Sequence, residues 1–305
     1  MHTNQALTFI KPHAVRSQAT IVHIADTFKK HGIKILARRS VTAEEISAGG
    51  LVDRHYAANA RRGTFDNALA LQLKDSAKEI FQTAFDEDWD EAVRAGRIFS
   101  GEAMRLKLGN ISGEELHARW ARYRAHKLSG GCYVSYFEDD DCYVVNGFYP
   151  SIRELFTRPG AEVEVLIVGF DLPWVVFRRD IIGSTNPAAA DENSIRGFAY
   201  DHASVLGIEV DSRNNVIHAS ASPFEGLCER FIWMSGQPVP QDPLWKLIHK
   251  KSGLSAAALE ERLLFWHSTN PMVELPDHVG PLLDVLEDRD TPEVAQDLLA
   301  LLGEK

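Results

Sequence analysis

Over positions 1–56 the spacing of apolar residues switches repeatedly between the periods of strand and helix, so strands and helices alternate along this stretch. Ala6 to Ile10 is a short apolar run, and Lys11-Pro12 ends it because proline has no N–H to give a central strand. Lys11 is therefore expected at a strand end. Ile21, Ile24, Ala25 and Phe28 recur at i, i+3, i+4 and i+7, and Gly32 after Lys29, Lys30 and His31 is a stop signal, which predicts a helix over 17–31. Ile33, Ile35 and Ala37 then share one parity, as in a half-buried strand over 33–41. Thr42-Ala43-Glu44-Glu45 reads as a capping box that opens a second helix to about Tyr56. The opening is β-α-β-α.

Further on, 69–85 and 112–127 read as helical, and Cys132 to Phe137 with Cys142 to Val145 reads as a hairpin around Glu138 to Asp141. Ser151 to Phe156 returns to helix and Val163 to Gly169 is a strongly apolar strand. Val175 to Ile182 fits strand or short helix equally, and 183–215 reads as one long irregular stretch. Val216 to Ser220 is a brief strand followed at once by Ser222-Pro223-Phe224-Glu225, a capping box with proline at the first helical position. Gln237-Pro238-Val239-Pro240 reads as a linker, after which 244–250, 255–267, 279–286 and 292–302 suggest short helices.

Composition narrows the partners. With 45% hydrophobic and 25% charged residues among 305, the chain has the make-up of an ordinary globular protein of one large or two small domains. A net charge of −10 leaves no general basic field for nucleic acid, so an anionic ligand must meet a local cluster of cations. No apolar run approaches the roughly 18 residues of a membrane span, and the first residues lack a signal-peptide pattern. Three cysteines, Cys132, Cys142 and Cys228, are too few for a disulfide framework. The reading is a cytoplasmic protein that binds neither nucleic acid nor membrane. Cys132, Cys142, His117 and His126 lack the paired spacing of a zinc module, so no protein metal ligand is assigned.

Asn215-Val216-Ile217-His218 puts a histidine at the end of the short strand before the capped helix, and Glu229 lies four residues after Glu225 on that helix. A carboxylate on one imidazole nitrogen fixes the tautomer and leaves the other nitrogen as a nucleophile. Spacing alone favours a structural histidine.

Thr8-Phe9-Ile10-Lys11-Pro12-His13-Ala14-Val15, His55-Tyr56, Gly183-Ser184-Thr185-Asn186-Pro187, Ser194-Ile195-Arg196-Gly197 and Asn215-Val216-Ile217-His218-Ala219-Ser220 occur in the order found in nucleoside diphosphate kinases. The resemblance covers about residues 5–56 and 148–234. It implies an α+β fold, a ferredoxin-like four-stranded antiparallel sheet with helices packed on it. It also implies ping-pong transfer of the ATP γ-phosphate to a nucleoside diphosphate through a phosphohistidine. Residue by residue, His218 matches the nucleophile and Glu229 its hydrogen-bonding partner, while Lys11, Tyr56, Arg179, Thr185, Arg196 and Asn215 match groups that hold phosphates or ribose. Phe148-Tyr149-Pro150 resembles the start of a family helix whose second aromatic stacks on the base, a role that falls to Tyr149. Mg²⁺, bound mainly through the nucleotide phosphates, is the implied cofactor, and the implied assembly is a homo-oligomer.

The departures are specific. His13 stands where the family has Asp, and Ala219-Ser220-Ala221 replaces Gly-Ser-Asp after the nucleophile. The expected organisation is a core of 1–56 and 148–234, a mixed helical and hairpin insert at 57–147, and a helical extension at 235–305. Two rivals stay open: a phosphohistidine enzyme with a specialised acceptor, and a nucleotide-binding regulatory module with vestigial turnover.

Overall fold

A computed structural model describes residues 2–71, 73–234 and 241–303, so the expected linker at 237–240 lies outside the described residues. The chain is a mixed α/β protein of two compact units, one formed by 1–51 with 159–305 and the other by 52–158. The second unit thus begins before and ends beyond the expected insert, and residues 241–303 belong with the first unit.

In the first unit, strands β1 (Asn4–Ile10), β2 (Lys34–Thr42), β3 (Glu162–Phe170) and β4 (Ile217–Ala219) form one sheet in the order β2-β3-β1-β4. Every pair in it is antiparallel. Because side chains alternate along a strand, β1 is buried on both faces. Ala6 and Ile10 join Ile24 and Phe28 of helix α1 (Gln18–Lys30), while Phe9 on the opposite parity meets Trp233. Ser17 caps α1 by accepting the Thr20 N–H, and Thr42 with Glu45 closes the expected capping box. That helix stops at Gly50, in the left-handed conformation, and a separate turn of helix spans Leu51–His55.

The stretch 183–215 is less irregular than its sequence suggests, since it holds helix α2 (Ile195–Asp201), capped by Ser194, and a further helical turn at Ala203–Leu206. Trp174 to Ile182 resolves as helix, its second part, Phe177–Ile182, wound as a π-type turn. Helix α3 (Pro223–Trp233) packs on β1 with one face. Its other face, with Phe224, Leu227 and Phe231, joins Leu244, Ile248, Leu259, Leu263 and Leu298 from the C-terminal helices. The expected helix over 279–286 instead starts as a hairpin, Met272–Leu275 with His278–Pro281, and only Leu282–Leu286 is helical.

The second unit has its own four-stranded sheet in the order Ile98–Ser100, Cys142–Val145, Cys132–Phe137, His126–Ser129. Its first pair is parallel and the others antiparallel, so the expected hairpin is present as the middle of a mixed sheet. Helix covers only Asp75–Phe85 and Gly113–Trp120 of the two longer segments expected there. No helix among the described residues is long and apolar enough to cross a membrane.

Candidate active site

The register of the main sheet fixes the centre of the site. His218 on β4 lies directly opposite Phe9 on β1, so both point to the face that α3 covers. Their rings stack with centroids 4.6 Å apart. The imidazole Nε2 lies 2.9 Å from Glu229 Oε1. Glu229 Oε2 lies 2.6 Å from Ser220 Oγ, which in turn accepts the Leu7 N–H at 3.1 Å. An ionised carboxylate can only accept, so Nε2 carries the proton and the lone pair sits on Nδ1. Burial, then the positive charges of Lys11, Arg196 and Arg178, hold His218 well below the usual histidine range, so the ring is neutral at pH 7.

The approach to β4 is strained. Val216, a buried β-branched residue, sits at φ +69°, and the Asn215 carbonyl accepts the Ile217 N–H at 2.8 Å across it, closing a γ-turn. Such a conformation costs on the order of 1–3 kcal/mol and persists where surrounding bonds fix it. Here the Val216 carbonyl accepts the Lys11 N–H at 2.8 Å, so the end of β1 is tied to the turn that presents His218.

Lys11 Nζ donates to the Arg213 carbonyl at 2.7 Å. The Asp211 carboxylate orders that loop by accepting the N–H groups of Arg213 and Asn214. Burial first, and the Arg196 charge second, push the Lys11 ammonium down to about 7, with Asp211 opposing. Arg196 on α2 is buried and directs Nη1 to the Gly183 carbonyl at 2.9 Å and Nη2 to the Ile217 carbonyl at 2.8 Å. Asn215 donates Nδ2 to the Thr185 carbonyl at 2.9 Å, while its Oδ1 is buried with no partner among the described residues. Thr185 itself is exposed. Lys11, Arg196, Asn215 and Thr185 thus gather with His218 and Glu229 in the first unit.

Arg179 and Tyr149 are placed otherwise than expected, and Tyr56 lies in the second unit. Arg179 is exposed and pairs with its neighbour Asp180 at 2.7 Å; it is Arg178 whose charge reaches His218. The π-type turn over Phe177–Ile182 explains the exchange, because an extra residue per turn rotates adjacent side chains away from helical register. Tyr56 caps the helix Ala57–Gly63 of the second unit without a side-chain bond. Tyr149, also in the second unit, is fully buried and its hydroxyl donates to Asp53, which Arg153 also holds. A Cβ on Gly63 would lie 2.6 Å from Tyr149 Cβ, so the ring is packed under a helix and offers no face to a base. Its neighbour Phe148 instead lines a 490 Å³ cavity of that unit with Trp120, Tyr133 and Asn59.

Several groups around His218 were not singled out from sequence. Ser220 needed the register of β1 to be seen as a partner of Glu229. Glu225 does not close a capping box: Ser222 accepts its N–H, but its carboxylate accepts the Ala221 N–H at 2.9 Å. Burial and then the Glu229 charge push it up to about 8. His267, on the C-terminal helix Ala256–Thr269, is buried and lowered to about 4 by burial and then by His218. Only the pairing of Glu225 with Glu229 at helical spacing was a usable signal.

Magnesium takes hard oxygen ligands and keeps several waters. The carboxylates described around His218 are already committed, Glu229 to His218 and Ser220, Glu225 to Ala221, and Glu287 with Asp288 to Arg178. This donor set fits a Mg²⁺ carried mainly by phosphate oxygens.

No family model and no curated protein matches the sequence. Among solved structures, the chain aligns with nucleoside diphosphate kinase from Encephalitozoon cuniculi at 17% identity over 77% of this chain and 93% of that one, with TM-score 0.36. For the nucleoside diphosphate kinase of Aquifex aeolicus the values are 16%, 76%, 96% and 0.39. For an NDP kinase from Pyrobaculum aerophilum they are 22%, 75%, 94% and 0.35.

Proposed function

We propose that the chain is a phosphotransferase that moves the γ-phosphate of ATP to a nucleoside diphosphate through a phosphohistidine at His218. The observation that carries this reading is the 2.9 Å contact between His218 Nε2 and Glu229, which leaves the lone pair on Nδ1 of a neutral ring surrounded by cations. The antiparallel order β2-β3-β1-β4 supports a ferredoxin-like sheet as the frame.

In the first half-reaction the Nδ1 lone pair attacks the γ-phosphorus, the bond to the β,γ-bridging oxygen breaks, and its electron pair leaves with ADP. In the second, a terminal oxygen of the acceptor diphosphate attacks the same phosphorus and the P–N bond returns its pair to Nδ1. Glu229 holds the Nε2 proton throughout and stabilises positive charge as the ring becomes substituted, and Ser220 holds Glu229. Lys11 and Arg196 offset charge on the phosphoryl oxygens, which is most of what phosphoryl transfer asks of a protein. Mg²⁺, when bound with the nucleotide, neutralises phosphate charge.

Steady-state kinetics test this. With ATP varied at several fixed acceptor concentrations, double-reciprocal lines should be parallel in the wild type, and Glu229→Gln should slow turnover without abolishing it. Intersecting lines would mean direct transfer and would exclude the covalent route.

A further inference from the structure

We propose that Arg178 is a further phosphate-binding residue of this site, and that Glu287 and Asp288 of the C-terminal segment are the positioning residues that aim it. The proposal rests on the transfer reading above and adds to it the reason the C-terminal segment is there.

Arg178 Nη1 donates to Glu287 Oε1 at 2.6 Å and to Asp288 Oδ1 at 2.7 Å. Both acids take the same nitrogen. The remaining fork, Nε and Nη2, has no acceptor among the described residues, and the side chain is 25% exposed. A planar guanidinium anchored through one nitrogen keeps a two-donor edge of the geometry that suits a pair of phosphoryl oxygens. Its charge acts on His218, as do those of Lys11 and Arg196. Arg178 therefore belongs to the field around the nucleophile, whereas Arg179 is exposed and held by Asp180.

The anchor is built for this task. Asp288 donates its backbone N–H to the Ala221 carbonyl at 3.0 Å, three residues beyond His218, and adopts φ +60°, a left-handed conformation that aspartate takes more readily than most residues. Two residues on, Asp290 Oδ1 accepts the Trp174 N–H at 2.7 Å and Asn4 Nδ2 at 2.9 Å. The segment is thus fixed both to the turn after the nucleophile and to the start of the helix that carries Arg178. Holding a long side chain in advance removes the ordering cost from the transfer step.

The test uses the full chain and radiolabelled ATP in single-turnover phosphoenzyme formation, with thermal melts to confirm folding. Arg178→Ala should form acid-labile phosphoenzyme about a hundredfold more slowly than wild type, the usual loss for one well-placed donor, and added guanidinium should restore part of the rate. The double variant Glu287→Gln with Asp288→Asn should lose about tenfold in rate at an unchanged melting temperature, with no rescue by guanidinium, since the cation is present and only its aim is lost. Wild-type labelling in folded Arg178→Ala would overturn this proposal alone, and so would faster labelling in the double variant, because the acids would then be masking the arginine. A wild type that forms no acid-labile phosphoenzyme would overturn the transfer reading and this proposal together.

Discussion

Lys11 shows how one side chain links fold to chemistry. It ends β1 because Pro12 stops the strand, its N–H ties down the Val216 turn, and burial beside Arg196 lowers its ammonium to about 7. Near neutral pH the ammonium is therefore only part-protonated until an anion arrives. A bound phosphate raises that value again, so ATP binding between about pH 7 and 9 should take up a proton. Calorimetry in buffers of different ionisation enthalpy should show this uptake in wild type and lose it in Lys11→Met. Equal enthalpies in all buffers for the wild type would contradict it. His218 and Glu229 were legible as a pair through the family resemblance, since spacing alone favours a structural histidine, and the structure sets them 2.9 Å apart. The choice between Arg178 and Arg179 was not legible, because a π-type turn breaks the periodicity that sequence reading relies on.

At the scale of elements, local signals were read well and partnerships poorly. Ser17 and Thr42 cap the helices their spacing announces, since capping depends on residues within one turn. The helix at Ile195–Asp201 went unread because apolar Ile195, Phe198 and Ala199 are too few to set a period, although Ser194 caps it. Phe148-Tyr149-Pro150 announced a helix start without saying which ring is buried; that depends on Gly63 and Asp53, far away in sequence. Burial makes Tyr149 a stability residue. Tyr149→Ala should cost about 3–5 kcal/mol in denaturant unfolding, as large aromatic truncations do. Tyr149→Phe should cost about 1 kcal/mol, because Arg153 still satisfies Asp53. A stable Tyr149→Ala that binds nucleotide weakly would restore the base-stacking role.

For the molecule as a whole, the C-terminal segment is part of the unit that carries the main sheet. Its leucines and Trp245 pack on α3, but nothing local in the sequence indicates that Asp288 reaches Ala221 or that His267 is buried near His218. These are long-range pairings that only the folded chain specifies. They carry a pH signature. His267 falls from 6.5 unfolded to about 4 folded, so its neutral form is favoured by folding. That contribution is intact above pH 6.5 and is lost as pH falls towards 4, to the extent of about 3 kcal/mol. Unfolding free energies from pH 7 to 4 should therefore fall less steeply in His267→Leu than in wild type, and identical slopes would refute this burial.

The proposed mechanism stands or falls on a phosphoryl group carried by His218. Purified protein incubated with γ-labelled ATP, freed of nucleotide and then split between mild acid and base, is the decisive sample. The label should vanish in acid, survive base, be absent from His218→Ala, and be discharged by added nucleoside diphosphate with formation of the triphosphate. Tight ATP binding with no label in the wild type, or acid-stable label that persists in His218→Ala, would contradict it.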